Sequence, residues 1–260
     1  KETSKQYDVS SSFELGKFFP KDYNIHVPLF TDYSETFITP QYNPLDPDEL
    51  LKPELSDNSV SKSKRDSLRF IAQYYTRRKS INFTNVKKDR SKNSKKARIY
   101  DVSNWSGTYA YNEIYKRNVD VQYNIQKSYR GGLIYNYAPQ PKLIKPFAKA
   151  KILQSKYLLL VKDINFYPYP NRLGFSTDVA RDYSKLVNRN TTGDDIIILP
   201  TYNKTFGMHR VYNLSYDLTK SLKLDFTANN QSQILEPDGA IDTQQKKDTI
   251  KQNFWRGGKT

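Results

Sequence analysis

Val211 to Ala228 reads VYNLSYDLTKSLKLDFTA. Tyr212, Leu214, Tyr216 and Leu218 alternate with polar residues, and so do Leu222, Leu224, Phe226 and Ala228. Successive side chains of a strand point to opposite faces, so each arm has one greasy and one polar face. A three-residue connection at Thr219-Lys220-Ser221 predicts a hairpin pairing Tyr216 with Leu224, Leu214 with Phe226 and Tyr212 with Ala228. The other face then pairs Asp217 with Lys223, Ser215 with Asp225 and Asn213 with Thr227. A slip of one residue would mix the two faces, so the pattern specifies the register. Each arm keeps it for about nine residues, close to the 9–11 of a membrane-crossing strand.

Working outward, the same alternation recurs at Tyr7 to Leu15, Tyr23 to Leu29, Trp105 to Tyr111, Val119 to Ile125, Leu133 to Tyr137 and Leu173 to Val179. It predicts an all-β chain of about eight strands, near 6–18, 24–38, 79–87, 103–115, 119–138, 172–187, 200–218 and 221–235. Helical spacing is confined to connectors. Leu68, Ile71, Ala72 and Tyr75 follow the caps Asp57 and Ser59, predicting a helix over 59–77 inside a long loop at 39–78. A second helix is expected from Asp242 to Phe254, within a polar connector at 236–260. Residues 139–171 form a Pro-rich connector, and Lys87 to Arg98 reads as a basic, solvated loop.

Composition narrows the function. The 260 residues carry 42 Lys+Arg against 27 Asp+Glu, a net charge of +15, yet include 21 Tyr and 13 Phe. Disordered chains are poor in aromatics, so wholesale disorder is excluded. Without Cys there is no disulfide framework, Cys-ligated zinc or cysteine nucleophile. The longest apolar run, Tyr157 to Val161, is far below the roughly 20 residues of a spanning helix. The opening Lys1-Glu2-Thr3 has no apolar signal region, so a mature form or an excised piece is expected.

Catalytic chemistry finds no foothold. His26 and His209 lie far apart within strand patterns, and Asp46, Asp48 and Glu49 lack the Gly and distal Glu of a calcium loop. Asp194-Asp195 reads as a solvated turn. Gly258-Lys259-Thr260 resembles the end of a phosphate loop, but Asn253 stands where its first Gly is needed. No catalytic, metal-ligating or cofactor-binding residue is assigned, and no enzyme or cofactor is expected. Nucleic-acid binding stays open, because basic residues among Tyr and Phe supply phosphate contacts and stacking platforms. Arg130-Gly131-Gly132 and Arg256-Gly257-Gly258 even look like RGG boxes.

Several stretches are similar to one family. They are Phe13 to Pro20 (FELGKFFP), Pro40 to Asp48 (PQYNPLDPD), Tyr75 to Val86 (YTRRKSINFTNV), Tyr111 to Tyr115 (YNEIY), Tyr129 to Gly132 (YRGG) and Pro170 to Leu173 (PNRL). Together they resemble the SprA/Sov family, the giant outer-membrane translocon of type IX secretion and gliding motility. The resemblance implies that the chain is one incomplete segment, 1–260, of a very large antiparallel transmembrane β-barrel that passes folded cargo. It further implies a PorV-like outer-membrane shuttle barrel, a periplasmic plug protein, cargo with a C-terminal sorting domain and outer-membrane lipid as partners, and no nucleic acid. Under it, Tyr212, Leu214, Tyr216, Leu218, Leu222, Leu224 and Phe226 face lipid, while Asn213, Ser215, Asp217, Lys223 and Asp225 face the lumen. Another large outer-membrane transporter and a soluble basic nucleic-acid binder are the alternatives.

Overall fold

The computed structural model describes residues 2–90, 98–148, 161, 163–191, 194 and 196–257. Part of the basic run at 87–98, much of the Pro-rich connector, Asp195 and Gly258-Lys259-Thr260 therefore lie outside the described residues.

Eight long strands dominate: β1 (Glu2–Glu14), β3 (Pro28–Pro40), β6 (Tyr74–Lys88), β7 (Trp105–Arg117), β8 (Val121–Tyr137), β9 (Arg172–Asn188), β10 (Thr201–Asp217) and β11 (Lys223–Gln233). They join antiparallel in the order β1-β3-β6-β7-β8-β9-β10-β11, with the short β2 (Ile25–His26) pairing onto β6. A two-stranded ribbon, β4 (Tyr42–Asn43) and β5 (Asp46–Leu50), and the helices α1 (Leu51–Ser56), α2 (Lys62–Ala72) and α3 (Gln244–Gly257) occupy connectors. The expected predominance of antiparallel strands with a few short helices is observed. The sheet does not close: among the described residues β1 pairs only with β3 and β11 only with β10.

The connectors divide by end. One end carries α1 and α2 between β3 and β6, and α3 after β11; it is the helix-bearing end. At the other, turn end, β1 passes to β3 through residues 15–27, β6 to β7 through 89–104, β8 to β9 through 138–171 and β10 to β11 through 218–222. Glu14 holds the first turn by accepting from Gly16 N at 3.1 Å and Val27 N at 2.7 Å. Gly16 is needed there, because a Cβ would lie 2.1 Å from the Ile25 carbonyl oxygen.

The helix expected over 59–77 is shorter. Ser61, rather than Ser59 or Asp57, caps it by accepting from Lys64 N, and the helix stops at Ala72. From Tyr74 onward the β-favouring Tyr-Tyr-Thr run pairs with β3, which takes those residues out of the helix. The second helix runs to Gly257 instead of Phe254, held by the Phe254 ring stacked on Phe206 and by the Gly257 carbonyl accepting from Arg210.

There is almost no interior. Among the described residues, the buried apolar side chains are Leu51, Ala72, Val187, Met208 and Ile234. A soluble sheet covers its apolar face with a second layer. Here the sheet is a single layer with large apolar side chains left exposed, among them Tyr7 at 59%, Val9 at 65%, Phe13 at 52% and Phe226 at 53%. No described helix is long and apolar enough to cross a membrane.

Candidate functional site: a two-faced wall

The predicted hairpin pairs form. Tyr212 is opposite Ala228, Leu214 opposite Phe226 and Tyr216 opposite Leu224, with Asn213–Thr227, Ser215–Asp225 and Asp217–Lys223 on the other face. Thr227 donates its hydroxyl to Asn213 Oδ1 at 3.1 Å, and Lys223 Nζ lies 4.0 Å from Asp217. Regular pairing ends at Asp217 and Lys223. Leu218 and Leu222 thus belong to the turn, closed by Thr219 N donating to Leu222 O at 3.1 Å. Asn171 also donates to Asp217 Oδ2 at 2.6 Å, and the Tyr216 hydroxyl donates to the Tyr167 carbonyl at 2.9 Å, tying the connector before β9 to the hairpin.

The same two faces run across all eight strands. Directly paired residues share a face, and Phe13, Leu29, Phe83, Tyr109, Gly131, Val179 and Met208 stand in one row. Ring contacts knit this aromatic face together: Phe37 to Tyr75, Trp105 to Tyr135, Tyr111 to Tyr129 and Phe175 to Tyr212, with centroids 4.8–5.1 Å apart. The polar face is rich in Ser, Thr and Asn, with charges of both signs. Arg130 makes a two-pronged contact to Asp182 there, both distances 2.9 Å, which places one of the RGG-like words within a strand. His209 is opposite Asp178 on this face, and His26 is 3.1 Å from the exposed Asp89. No group of three potential metal ligands occurs among the described residues.

The apolar band is slanted. On β1 it comprises Tyr7, Val9 and Phe13; on β11 it comprises Leu224, Phe226 and Ala228. The row through Val9 reaches β10 at Lys204, whereas Phe226 is opposite Leu214, roughly ten residues lower, or ~34 Å along the strand. Seven interstrand steps of ~4.8 Å also make ~34 Å. The band therefore crosses the strands at about 45°, close to the tilt of strands in a membrane barrel. Aromatic residues mark both margins: Tyr75, Tyr115 and Tyr123 toward the helix-bearing end, and Trp105, Tyr137 and Tyr216 toward the turn end. From Trp105 to Tyr115 along β7 is ~34 Å, or ~24 Å when projected at that tilt, near the ~25 Å apolar band of such barrels.

A feature that sequence reading missed lies along the margin toward the helix-bearing end. Arg77, Lys79, Arg117, Lys127 and Lys185 all project from the aromatic face, where the strands carry two carboxylates among the described residues, Glu35 and Glu113. Glu113 is 3.1 Å from Arg77 and 3.7 Å from Lys127, is directly opposite Lys79, and accepts from the Tyr111 hydroxyl. Glu35 accepts from the hydroxyls of Tyr33 and Tyr75, each at 2.6 Å. The cations stack on aromatic rings: Lys79 over Tyr33, Arg77 over Tyr115, and Lys185 over Tyr123 and Tyr202. Arg117 donates to the Phe70 carbonyl of α2 and lies over the Phe70 and Tyr75 rings, and other nearby cations are engaged too. Arg181 binds the buried Glu236, and Lys204 donates to the carbonyls of Pro237 and Gly239, anchoring the chain after β11.

Residues 1–55, which hold β1, β3, the β4–β5 ribbon and most of α1, match the family model SprA_N, described as a motility related/secretion protein. No curated protein matches this chain. The match supports a relation to the SprA family through the N-terminal region and is consistent with a role in secretion or motility.

Proposed function

We propose that the chain is part of the wall of a large outer-membrane β-barrel that conducts folded cargo proteins in type IX secretion and gliding motility. The observation that carries this reading is a single-layer sheet whose apolar face, covered by the chain after β11 toward the helix-bearing end of β9–β11, is otherwise largely exposed and slanted like a barrel in lipid, with both edge strands unpaired among the described residues. Lipid offers no hydrogen bonds, so spanning strands need partners on both sides. Strands β1 and β11 would therefore pair with neighbouring strands of a longer chain. The aromatic face is the lipid side, and Tyr212, Leu214, Tyr216, Leu224 and Phe226 lie on it, with Leu218 and Leu222 at its turn-end margin. Asn213, Ser215, Asp217, Lys223 and Asp225 line the lumen. The helix-bearing end is external and the turn end periplasmic. A PorV-like shuttle barrel, a periplasmic plug and cargo with a C-terminal sorting domain are the expected partners. The wall carries no chemistry of its own: it is a conduit, not an enzyme.

One observation favours a second reading. Tyrosines and cations share a face, as a single-stranded nucleic-acid binder requires. The aliphatic residues of that face, such as Val9, Ile81, Val179 and Leu224, suit acyl chains better than bases. The test is single cysteines at positions 213, 214, 215 and 216 of the full-length protein in its native cells, exposed to a membrane-impermeant maleimide. Labelling at 213 and 215 with protection at 214 and 216 is expected. Uniform labelling, with the protein in the soluble fraction, would end the barrel reading.

A further inference from the structure

We infer that the basic margin of the aromatic face is a binding belt for membrane lipids with phosphate-bearing, anionic headgroups. The inference rests on the outward assignment of that face in the proposed function and goes beyond it by naming a ligand and its residues. Lys79 and Lys127 flank Glu113 in one cross-strand row, and Lys185 lies one pair further toward the helix-bearing end on the next strand. Strands are ~4.8 Å apart, so Lys79 and Lys127 stand about 10 Å from each other, a spacing that suits adjacent phosphates. With Arg77 and Arg117 the cluster has five cations for Glu35 and Glu113, which leaves a surplus of positive charge. The Lys127 side chain is 35% exposed, so its ammonium is accessible from outside the sheet.

What selects a lipid over other anions is what lies beside the cations on the same face. Ile81 and Phe83 follow Lys79 along β6, and Leu133 continues β8 beyond Lys127 and Tyr129. An amphiphile lying against this wall would place its acyl chains on those residues and its phosphate against the ammonium groups. Tyr33, Tyr75 and Tyr111 stand at that level, where Tyr and Trp ordinarily sit in membrane proteins, and their hydroxyls occupy the two carboxylates Glu35 and Glu113. The polar face offers less of such pairing: its cations are interspersed with Asp32, Asp178, Asp182 and Asp225, and its apolar residues, such as Ile114 opposite Arg78 and Ile134, are scattered among Ser, Thr and Asn.

The experiment uses the full-length protein in detergent and native mass spectrometry, titrated with dioleoyl phosphatidylglycerol or dioleoyl phosphatidylcholine. The two lipids share acyl chains and differ in headgroup charge. The wild type is expected to retain phosphatidylglycerol preferentially. Each cation near an anionic surface is worth about fivefold, so a Lys79→Gln/Lys127→Gln/Lys185→Gln variant should lose at least about tenfold of that retention. The corresponding Lys→Arg triple should keep it, and so should Arg78→Gln/Lys116→Gln/Lys223→Gln, which removes equal charge from the polar face. Equal loss in the polar-face triple would reduce the effect to net charge and overturn the belt. Displacement by millimolar inorganic phosphate would make it an anion site without lipid selectivity. Preferential retention of a thymidine oligonucleotide, lost in the first triple, would transfer the face to nucleic acid. Maleimide protection at 214 and 226 without lipid preference would refute the belt alone; labelling there would refute the outward assignment.

Discussion

Replacing Leu214 by Arg puts a cation on the aromatic face opposite Leu173 and Phe226, at the level of the band's centre on β11. A cation at mid-bilayer on the outside of a barrel costs about 2–4 kcal/mol. Asn213→Arg, one residue away, places the same charge on the polar face. There it gives up the hydrogen bond from Thr227, worth about 0.5–1.5 kcal/mol and less where water replaces it. The two variants should differ by about 2 kcal/mol, roughly thirtyfold in the folded-to-unfolded ratio. A Leu214→Ala control separates lost packing from inserted charge, and in lipid it should cost far less than Arg. The assay is urea unfolding of the full-length protein in vesicles, followed by protease protection, together with the yield of assembled protein in the outer membrane. Equal midpoints and equal yields for Leu214→Arg and Asn213→Arg would refute the assignment of faces.

Two further outcomes follow from the connectors. Arg181 binds the Glu236 carboxylate, which is 3% exposed, so Arg181→Ala strands a buried charge. Because Arg181 itself is 29% exposed, the cost should be about 2 kcal/mol, below the 3–5 of a fully buried pair. Faster hydrogen exchange across 234–257, partly restored in Arg181→Ala/Glu236→Ala, is the expected signature; unchanged exchange would contradict it. In the turn-end connector, the backbone N–H of Arg98 and the guanidinium of Arg90 hold the Asp101 carboxyl below the ordinary carboxylate range. A depressed carboxyl stabilises its fold above the unfolded pKa and loses that contribution as pH falls through the folded one. The turn at 98–104 should thus open only on acidification below the usual Asp range. Hydrogen exchange across 98–104 followed against pH would report it, and a transition above that range would refute the assignment.

Local pattern went far here, and its failures have physical causes. The β10–β11 register was legible because one face is apolar at every second residue, so only one pairing buries like against like. Strand β1 was expected at 6–18 and lies at Glu2–Glu14. Its first residues, Glu-Thr-Ser-Lys-Gln, are polar on both faces, so pairing with β3 sets that end rather than any pattern. The other end is cut short where Gly16 passes beneath the Ile25 carbonyl, a contact between segments that no local signal announces. The basic margin escaped for a similar reason. Arg77, Lys127 and Lys185 are far apart in the chain, and only the cross-strand register sets them side by side. The available signal was parity: each of these cations shares it with the aromatic residues of its own strand.

The two faces also differ in how their charges are arranged, and this bears on the proposed role of the sheet as the wall of a conduit. On the polar face Arg130 is locked to Asp182, Lys223 neighbours Asp217, and Asp178 is opposite His209. Charges paired within a few ångströms in water-accessible surroundings leave fields that fade within a Debye length of about 8 Å. A protein moving along such a wall meets short-range dipoles and hydroxyls, with neither a greasy surface to adhere to nor a single-sign field to hold it. The surplus positive charge is instead carried on the opposite face, beside the aliphatic band, where under the proposed outward assignment it would attract lipid phosphate without retarding cargo. An Arg130→Ala/Arg172→Ala variant would make the slightly acidic polar face more acidic and should slow basic cargo relative to acidic cargo. Removing Lys79 and Lys127 should leave that ratio unchanged, and equal effects from the two faces would show that cargo does not move along the polar one.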